Sequence, residues 1–282
     1  MANSISSVLK SFPPPKAIGS TALGDFHQCR RKYGLLLEHQ ARESSGALAI
    51  GIAVHEGLRA WAFKKDEEAA IVRAFEELKD RRDKAELEVV TSGLMFRYFE
   101  QYNNDRYKPV STETELFIDT PYGVKYRATP DLVVDRHDGL WAVDYKTTSR
   151  TPETFFRSYP MKSQMKGHVY AARTVLNLPV KGVIVDALYK NEKYKFQRLE
   201  LTFTQDELDQ WWLETCQAIK DIVAAHTVGE FYAKDGDHCW MHGAPCPFWT
   251  YCTSEFEPMV LKTTHIKRKV PLWKQVSRRE GK

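Results

Sequence analysis

The fold of this chain is decided by Thr129-Pro130-Asp131-Leu132-Val133-Val134 and, further along, by Val143-Asp144-Tyr145-Lys146. The region from Val124 to Asp135 is rich in β-branched and aromatic residues, which favour strands. Asp138-Gly139 is a strong turn signal, and an apolar stretch resumes from Leu140 to Tyr145. The pattern therefore predicts a β-hairpin.

Two carboxylates interrupt the apolar positions of this hairpin. Asp131 begins an otherwise apolar run and Asp144 follows Trp141-Ala142-Val143, so each is predicted to lie close to a core. A buried, unpaired carboxylate is so costly that such groups normally pair, become neutral or bind a metal. Lys146 stands two residues after Asp144, and side chains two apart on a strand share a face. This layout is typical of a site that cleaves phosphodiester bonds with a divalent cation. An ordinary hairpin, in which Asp144 pairs with Lys146 in solvent, is the alternative.

Two further segments support a functional interpretation. His55 lies in the mostly apolar segment Gly51-Ile52-Ala53-Val54-His55-Glu56-Gly57-Leu58, and a neutral imidazole is a common metal ligand. Gln164 lies in Ser163-Gln164-Met165-Lys166-Gly167-His168-Val169-Tyr170, which opens a predicted helix. With the hairpin, these segments resemble the PD-(D/E)XK nuclease superfamily, in the branch of RecB-type nuclease domains and the four-cysteine nucleases of CRISPR adaptation. The resemblance extends from about Ser20 to Cys252.

The resemblance implies a fold class and a set of site residues. The fold class is α/β (α+β), with a restriction-endonuclease-like core in which helices flank a central mixed sheet, a helical N-terminal part and a C-terminal cysteine loop. The residues implied to be catalytic are Asp131, Asp144, Lys146 and Gln164. Those implied to hold Mg2+ or Mn2+ are His55, Asp131, Asp144 and the main-chain carbonyl of Tyr145.

Additional candidates depart from the family pattern or have ordinary alternatives. His168 stands where the family usually has tyrosine, and Tyr170 lies two residues further on, so Gln164 carries over most directly. An exposed polar helix face is the alternative for Gln164 and His168, and a hydrogen-bonded structural histidine is the alternative for His55. Glu115 is preferred to Glu113 as the upstream acid, unless it is a solvated glutamate on an edge strand.

Cysteine usage predicts a second site. With no secretory segment to indicate an oxidising compartment, the grouped cysteines favour metal ligation over disulfides. The four predicted ligands are Cys29, Cys239, Cys246 and Cys252, and the resemblance implies a [4Fe-4S] cluster. Six residues separate Cys239 from Cys246 where the family usually has two, which leaves tetrahedral Zn2+ open, with His238 or His242 as a substitute ligand. Cys216 is expected to be a small core hydrophobe.

The predicted organisation is one domain between two peripheral segments. Residues 1–19 form an extended arm that contains Pro13-Pro14-Pro15, and residues 253–282 form a basic tail. The PD-(D/E)XK nuclease domain at 20–252 divides into a helical part (about 20–110), a catalytic sheet (about 111–203) and a helix with the cysteine loop (about 204–252). From Lys262 to Lys282 the formal charge is +7, so the remainder of the +4 chain carries −3. Such a tail fits phosphate-backbone binding, or it is a solvated end.

Periodicity and punctuation predict the remaining elements. Thr204 and Glu207 form a capping box for the last long helix. The predicted helices are Ser20–Glu38, Leu48–Trp61, Glu67–Lys84, Ser92–Asn104, Lys162–Leu176 and Gln205–Ala225. The predicted strands are Glu115–Asp119, Lys125–Asp135, Leu140–Lys146, Val180–Tyr189 and Tyr194–Phe203.

The function expected from these features is that of a DNA exonuclease or DNA-end-processing nuclease in recombination, repair or DNA processing, without strong sequence preference. A DNA-binding recombination-accessory protein and an RNA-directed nuclease are the alternatives. Expected partners are DNA and a helicase or recombinase, in a bacterial cytoplasm or a phage-infected host cell. The hydrophobic fraction of 43% supports a substantial core, and neither a membrane span nor a phosphate-cradling glycine loop for ATP is expected. Trp240, Phe248, Trp249 and Tyr251 are either stacking surfaces for single strands or local packing.

Overall fold

The computed structural model describes residues 13–41, 45–105, 107–112, 115–229, 231–232, 236–241, 244–254, 258–269 and 271–275. The chain divides into two compact units. The central unit consists of Ser44–Leu116 and Ala128–Leu208, and the terminal unit draws on Met1–Glu43, Phe117–Arg127 and Asp209–Lys282. The predicted extent of a single domain, 20–252, stays a prediction.

The described strands and helices follow one another along the whole chain. The strands are β1 (Ala17–Gly19), β2 (His39–Ala41), β3 (Lys108–Thr112), β4 (Leu116–Ile118), β5 (Lys125–Ala128), β6 (Leu132–Arg136), β7 (Gly139–Thr148), β8 (Gly182–Tyr189), β9 (Gln197–Thr202), β10 (Trp240–Met241), β11 (Ala244–Pro245) and β12 (His265–Lys267). The helices are α1 (Ser20–Gln28), α2 (Arg30–Glu38), α3 (Gly46–Lys64), α4 (Glu67–Glu76), α5 (Lys84–Tyr102), α6 (Pro152–Phe156), α7 (Ser163–Val175), α8 (Gln205–Val228), α9 (Trp249–Thr253) and α10 (Pro258–Thr264). None of these helices is long and apolar enough to span a membrane.

The core of the central unit is a mixed sheet of five strands in the order β3-β6-β7-β8-β9. β7 and β8 pair in parallel, and the other neighbours pair antiparallel. All eight residues of β8 are buried, as expected for a strand that is covered on both faces. The alternating contacts of β7 place α3 and α5 on one face of the sheet and α7 on the other. The predicted central mixed sheet flanked by helices is confirmed.

The predicted hairpin forms β6 and β7. Leu132 pairs with Val143 and Arg136 with Gly139 in an antiparallel register. Gly139 has a φ of 126°, which is a conformation that L side chains rarely adopt. The turn signal therefore acted through backbone geometry, and it fixes which residues of the two strands face each other.

The boundaries of several strands differ from the prediction. Lys125–Asp135 is not one strand, because β5 and β6 belong to different sheets and Thr129 and Pro130 separate them. Proline has no N–H to donate to a ladder, so it marks this break. The strand that pairs with β6 on the outer side of the hairpin is β3, which the sequence did not predict, while β4 joins the three-stranded sheet β1-β5-β4.

Two predicted helices are also interrupted. The predicted helix Ser20–Glu38 breaks at Cys29, which is extended (φ −161°, ψ 115°) and whose Sγ caps α2 by accepting from the Lys32 N–H. The predicted helix Glu67–Lys84 ends at Glu76, and α5 begins at Lys84 rather than at Ser92. The predicted Thr204–Glu207 capping box is confirmed, since each backbone N–H donates to the other side chain.

The terminal unit joins segments that are distant in sequence. β2 and β12 pair antiparallel, and the Arg268 N–H donates to the Glu38 carbonyl at 2.7 Å. A small core contains Leu35, Phe248, Tyr251 and Leu261. The segment predicted to be a basic tail thus contributes α10 and β12 to this unit.

Candidate active site

Asp131 is held at the start of β6 by its own backbone and side chain. Its N–H donates to the Val143 carbonyl at 3.1 Å, and its Oδ2 accepts from the Tyr145 N–H at 2.8 Å. The carboxylate therefore provides β7 with an acceptor where the strand pairing of β6 ends. Its second oxygen, Oδ1, lies 3.4 Å from His55 Nδ1 on α3.

Asp144 lies in the middle of β7 and is 1% exposed. The Lys146 ammonium is 2.6 Å from its Oδ2, as expected for two side chains that share a face of the strand. On α7, Gln164 Nε2 donates to Oδ1 at 3.3 Å, and His168 Nε2 lies 3.4 Å from the same oxygen. Because the ammonium is close to Oδ2 without the geometry of a hydrogen bond, this buried oxygen is incompletely satisfied.

The surroundings keep both carboxylates ionised. Burial alone would raise the pKa of Asp144, but Lys146 and His168 together outweigh it and lower the pKa. Burial likewise opposes ionisation of Asp131, whereas the nearby His55 brings its pKa below the usual value. The Asp144 charge acts in the opposite direction on Asp131, so the two carboxylates interact. The site is a pair of coupled negative charges with one ammonium beside it.

His168 on α7 is buried, although the sequence left an exposed helix face open for it. The side chain is 3% exposed, so the exposed-face alternative does not hold for it, and neither ring nitrogen makes a hydrogen bond. It lies four residues after Gln164, which places both side chains on the α7 face toward Asp144. Tyr170 is half-buried on α7, and Glu115 lies on the link between β3 and β4, outside both strands.

A cavity of about 560 Å³ opens beside His55 and Lys146. The sequence did not single out most of the residues that line it. Its described lining is Ala47, Leu48, Gly51, Ile52, His55, Lys146, Thr147, Thr148, Ser149, Arg150 and Lys190. The available signal was topological: Arg150 and Lys190 follow β7 and β8, and neighbouring parallel strands end at the same edge of a sheet.

The predicted cysteine ligands all lie in the terminal unit. Cys246 donates its N–H to the Cys239 carbonyl at 2.7 Å, and Cys246 and Cys252 pack against the small core. Burial raises the pKa of Cys252, Arg31 acts in the opposite direction, and Cys246 and Cys29 add to the rise. All four are half-buried, and none of them forms a disulfide.

Three further residues bear on the predicted cysteine site: the alternative ligands His238 and His242, and Cys216. His238 is half-buried in the short 3-10 helix Gly236–Cys239, whereas His242 lies outside the described residues. Cys216 lies on α8, where burial raises the pKa of its thiol.

Comparison with known proteins identifies the family. The model of the PD-(D/E)XK nuclease superfamily matches residues 18–253, which include every residue of the cluster around Asp144. The chain belongs to the PD-(D/E)XK nuclease superfamily. It is therefore a nuclease, a hydrolase of nucleic-acid phosphodiester bonds, and PD-(D/E)XK nucleases generally use Mg2+ or Mn2+.

One solved structure supports the fold alone. A protein named "Putative exonuclease" from Eubacterium rectale has a TM-score of 0.50 and 13% identity, over 79% of this chain and 86% of that one. The structure of SSO0001 covers 77% of this chain and 79% of its own, at 11% identity and a TM-score of 0.33, which is too low to support an argument. No curated protein sequence matches this PD-(D/E)XK nuclease.

The donors around Asp144 fit a hard divalent cation. In the part of the chain that the structure describes, no three His, Cys, Asp or Glu side chains form a group that could hold an ion. Mg2+ does not need such a cage, because it usually binds one or two carboxylates and keeps several waters. Asp131 and Asp144 supply two ionised carboxylates, and the incompletely satisfied Oδ2 of Asp144 is a suitable ligand atom.

Proposed function

We propose that this nuclease is a Mg2+- or Mn2+-dependent deoxyribonuclease that acts at DNA ends, with Asp131, Asp144 and Lys146 as its catalytic residues. The observation that carries the proposal is the buried Asp144 carboxylate with the Lys146 ammonium 2.6 Å from its Oδ2. Lys146 also lines the cavity, and a second ionised carboxylate, Asp131, lies beside His55 in the same site. This arrangement suits metal-assisted hydrolysis of a phosphodiester.

Each residue of the cluster has a distinct role in this proposal. Asp131 and Asp144 hold the cation, with His55 and the Tyr145 carbonyl as further ligands. When bound, Mg2+ or Mn2+ supplies Lewis acidity toward the phosphate. Lys146 orients the attacking water and stabilises the negative charge that builds up on the phosphate in the transition state.

Two side chains on α7 orient the Asp144 carboxylate. Gln164 holds one oxygen of Asp144 through its 3.3 Å hydrogen bond, and His168 limits the rotation of the same carboxylate from the buried side. The second oxygen is then directed toward Lys146. This positioning role for Gln164 and His168 follows the general dependence of metal ligands on the groups that orient them.

The proposal also specifies DNA as the substrate and free ends as the place of cleavage. Besides Lys146 and His55, the described cavity lining contains the cations Arg150 and Lys190 and no carboxylate. This charge distribution favours a phosphate backbone as the ligand. The name of the Eubacterium rectale protein supports an exonuclease mode. A role in recombination or repair, with a helicase or recombinase as partner, is part of the same proposal.

The experiment that tests this function follows end-labelled linear DNA and closed circular DNA with Mg2+ or Mn2+, beside an EDTA control. Asp131→Asn, Asp144→Asn and Lys146→Met should each abolish cleavage and leave the circular dichroism spectrum unchanged. Lys181→Met is the matched control, because Lys181 is an exposed lysine beside Asp138 at the opposite end of the same strands.

Each possible result bears on a different part of the proposal. Metal-dependent loss of linear DNA alone supports an exonuclease, and the position of the label gives its polarity. Cleavage of circular DNA, or of RNA in preference to DNA, refutes the corresponding part of the proposal. Wild-type turnover by Lys146→Met refutes the assigned mechanism, and no cleavage by the wild-type protein favours an accessory role.

The four cysteines are proposed to hold a [4Fe-4S] cluster that stabilises the terminal unit. Support for this assignment comes from the resemblance and from the position of all four cysteines in the terminal unit, where the Cys246 N–H donates to the Cys239 carbonyl. The described side chains do not themselves form a group of three or more ligands around one point. Anaerobically purified protein should then absorb visible light and contain iron, and Cys246→Ser should lose both the absorbance and stability. If the protein is instead colourless and contains one zinc per chain, the site binds Zn2+ rather than a cluster, with His238 as the alternative ligand.

A further inference from the structure

The cavity beside His55 and Lys146 has one strongly cationic wall. Its charged lining residues other than His55 are Lys146, Arg150 and Lys190, and its described lining contains no Asp or Glu. An anion is therefore the favoured ligand of this wall.

The cationic wall is built on a fixed backbone. Thr148 and Tyr189 are partners at the ends of the parallel strands β7 and β8. The Lys190 N–H donates to the Thr148 carbonyl at 2.8 Å, and the Arg150 N–H donates to Thr148 Oγ1 at 3.1 Å. Both cations therefore start from one edge of the sheet: Arg150 lies four residues after Lys146, and Lys190 lies three residues after Ala187, the partner of Lys146 on β8.

The opposite wall is apolar and exposed. Leu48 is 56% exposed and Ile52 is 38% exposed, and with His55 they occupy positions i, i+4 and i+7 on α3. Gly51 allows α3 to approach β7 closely, since a Cβ at this position would lie 3.3 Å from Thr147 Oγ1. Two aliphatic side chains thus remain open to a cavity whose other wall attracts anions.

We infer that this cavity binds one unpaired nucleotide of DNA adjacent to the scissile phosphate. Arg150 and Lys190 bind its phosphate, and Leu48 and Ile52 contact the face of its base. An unpaired nucleotide presents both groups together, whereas the bases of a duplex are stacked and unstacking them costs free energy. The volume of about 560 Å³ is in the range of small-molecule pockets and accommodates one nucleotide. The inference rests on the proposed function and adds its substrate class: single-stranded or frayed ends.

The test measures binding without turnover. Fluorescence anisotropy in EDTA compares a short labelled single strand of DNA, a blunt hairpin duplex and an RNA strand of the same sequence. The double variant Leu48→Ser/Ile52→Ser should weaken binding of the single strand about fivefold and leave duplex binding unchanged. Val72→Ser/Val89→Ser is the matched control, because these valines are 55% and 71% exposed on other helices of the central unit.

The salt dependence of the affinity tests the cationic wall separately. Arg150→Gln/Lys190→Gln should weaken binding of the single strand, and the slope of log affinity against log salt should become shallower by about 1.4, or ~0.7 for each lost phosphate contact. An unchanged slope would overturn the assignment of these two side chains. Equal effects of the Leu48/Ile52 variant on single strand and duplex would overturn the base contact.

The remaining outcomes separate this inference from the proposed function. Tighter binding of the RNA strand than of the DNA strand would overturn the assignment to DNA. A wild-type protein that shows the expected binding differences but cleaves nothing with Mg2+ or Mn2+ would contradict the proposed function and support the nucleotide site.

Discussion

Replacing Arg198 by Met is expected to destabilise the central unit by about 3 kcal/mol near neutral pH. Arg198 on β9 is 15% exposed, and its Nε donates to Asp186 Oδ2 at 2.8 Å. Asp186 on β8 is 0% exposed, and Tyr98 OH also donates to its Oδ2 at 2.8 Å. The same guanidinium pairs with Asp105.

The magnitude follows from what the substitution leaves behind. Removing one partner of a buried ion pair costs roughly 3–5 kcal/mol, because the other charge remains buried. Tyr98 still donates to Asp186 in the variant, and Met keeps apolar contact with Tyr102, over which the guanidinium lies at 3.7 Å from the ring centroid. We therefore expect the lower end of that range. Asp186→Asn added to Arg198→Met should restore most of the stability, since the buried charge is then absent.

The effect should also depend on pH with a defined sign. Burial raises the pKa of Asp186 even with Arg198 present, so its ionisation opposes folding as the pH rises from the ordinary value toward the raised one. Without Arg198 the folded-state pKa should rise further. The difference in stability between wild type and variant should therefore be large at about pH 7 and smaller at about pH 5.

Urea unfolding followed by circular dichroism measures this difference at both pH values. The matched control is Arg136→Met on β6, because Arg136 pairs with Asp138 and Glu200, whose side chains are 29% and 46% exposed. Pairs with such exposed partners contribute about 0–1 kcal/mol. A loss below about 1 kcal/mol for Arg198→Met, or a difference that is the same at both pH values, would refute the reasoning.

Three other outcomes are expected. Gln164→Leu should reduce turnover or metal affinity by about 10–100-fold with little change in melting temperature, because it removes the hydrogen bond that orients Asp144; unchanged steady-state kinetics across a metal titration would contradict it. Gly182→Ala should lower the melting temperature by several degrees, since its Cβ would lie 2.1 Å from the Leu201 carbonyl oxygen; a wild-type melting curve would argue against the β8–β9 register. Thr204→Ala should destabilise the protein by about 1 kcal/mol through loss of the α8 cap, as checked by urea unfolding; a gain in stability would be inconsistent with the capping box.

The hairpin was predictable because its signals are local. Apolar runs rich in β-branched and aromatic residues, a turn that requires a positive φ at Gly139 and the face shared by Asp144 and Lys146 all act over a few residues. The break at Pro130 was also visible in the sequence, but the β-branched residues on both sides outweighed it in the prediction. Whether a strand continues past such a break depends on which sheet each half joins, and that is a tertiary property.

The candidate site was predictable where the chemistry is unusual. Charged residues within apolar runs identified Asp131 and Asp144, and both lie in the cluster. The burial of His168 and the walls of the cavity were not predictable, because they depend on how α7 and α3 pack on the sheet. Leu48 and Ile52 look like ordinary core positions of an amphipathic helix, and only the structure distinguishes exposed members of such a pattern.

The discontinuity of the terminal unit has a consequence for biosynthesis. The central unit ends at Leu208, whereas the terminal unit pairs β2 with β12 across the whole intervening chain. Closing so long a loop is entropically costly and slow compared with local contacts. During translation, the strands and helices that carry Asp131, Asp144 and Lys146 can therefore fold while the partner strand of β2 has not yet left the ribosome. Within the early-translated segment, β1 can pair with β5 as soon as that strand is made, whereas β2 stays unpaired until the last part of the chain arrives.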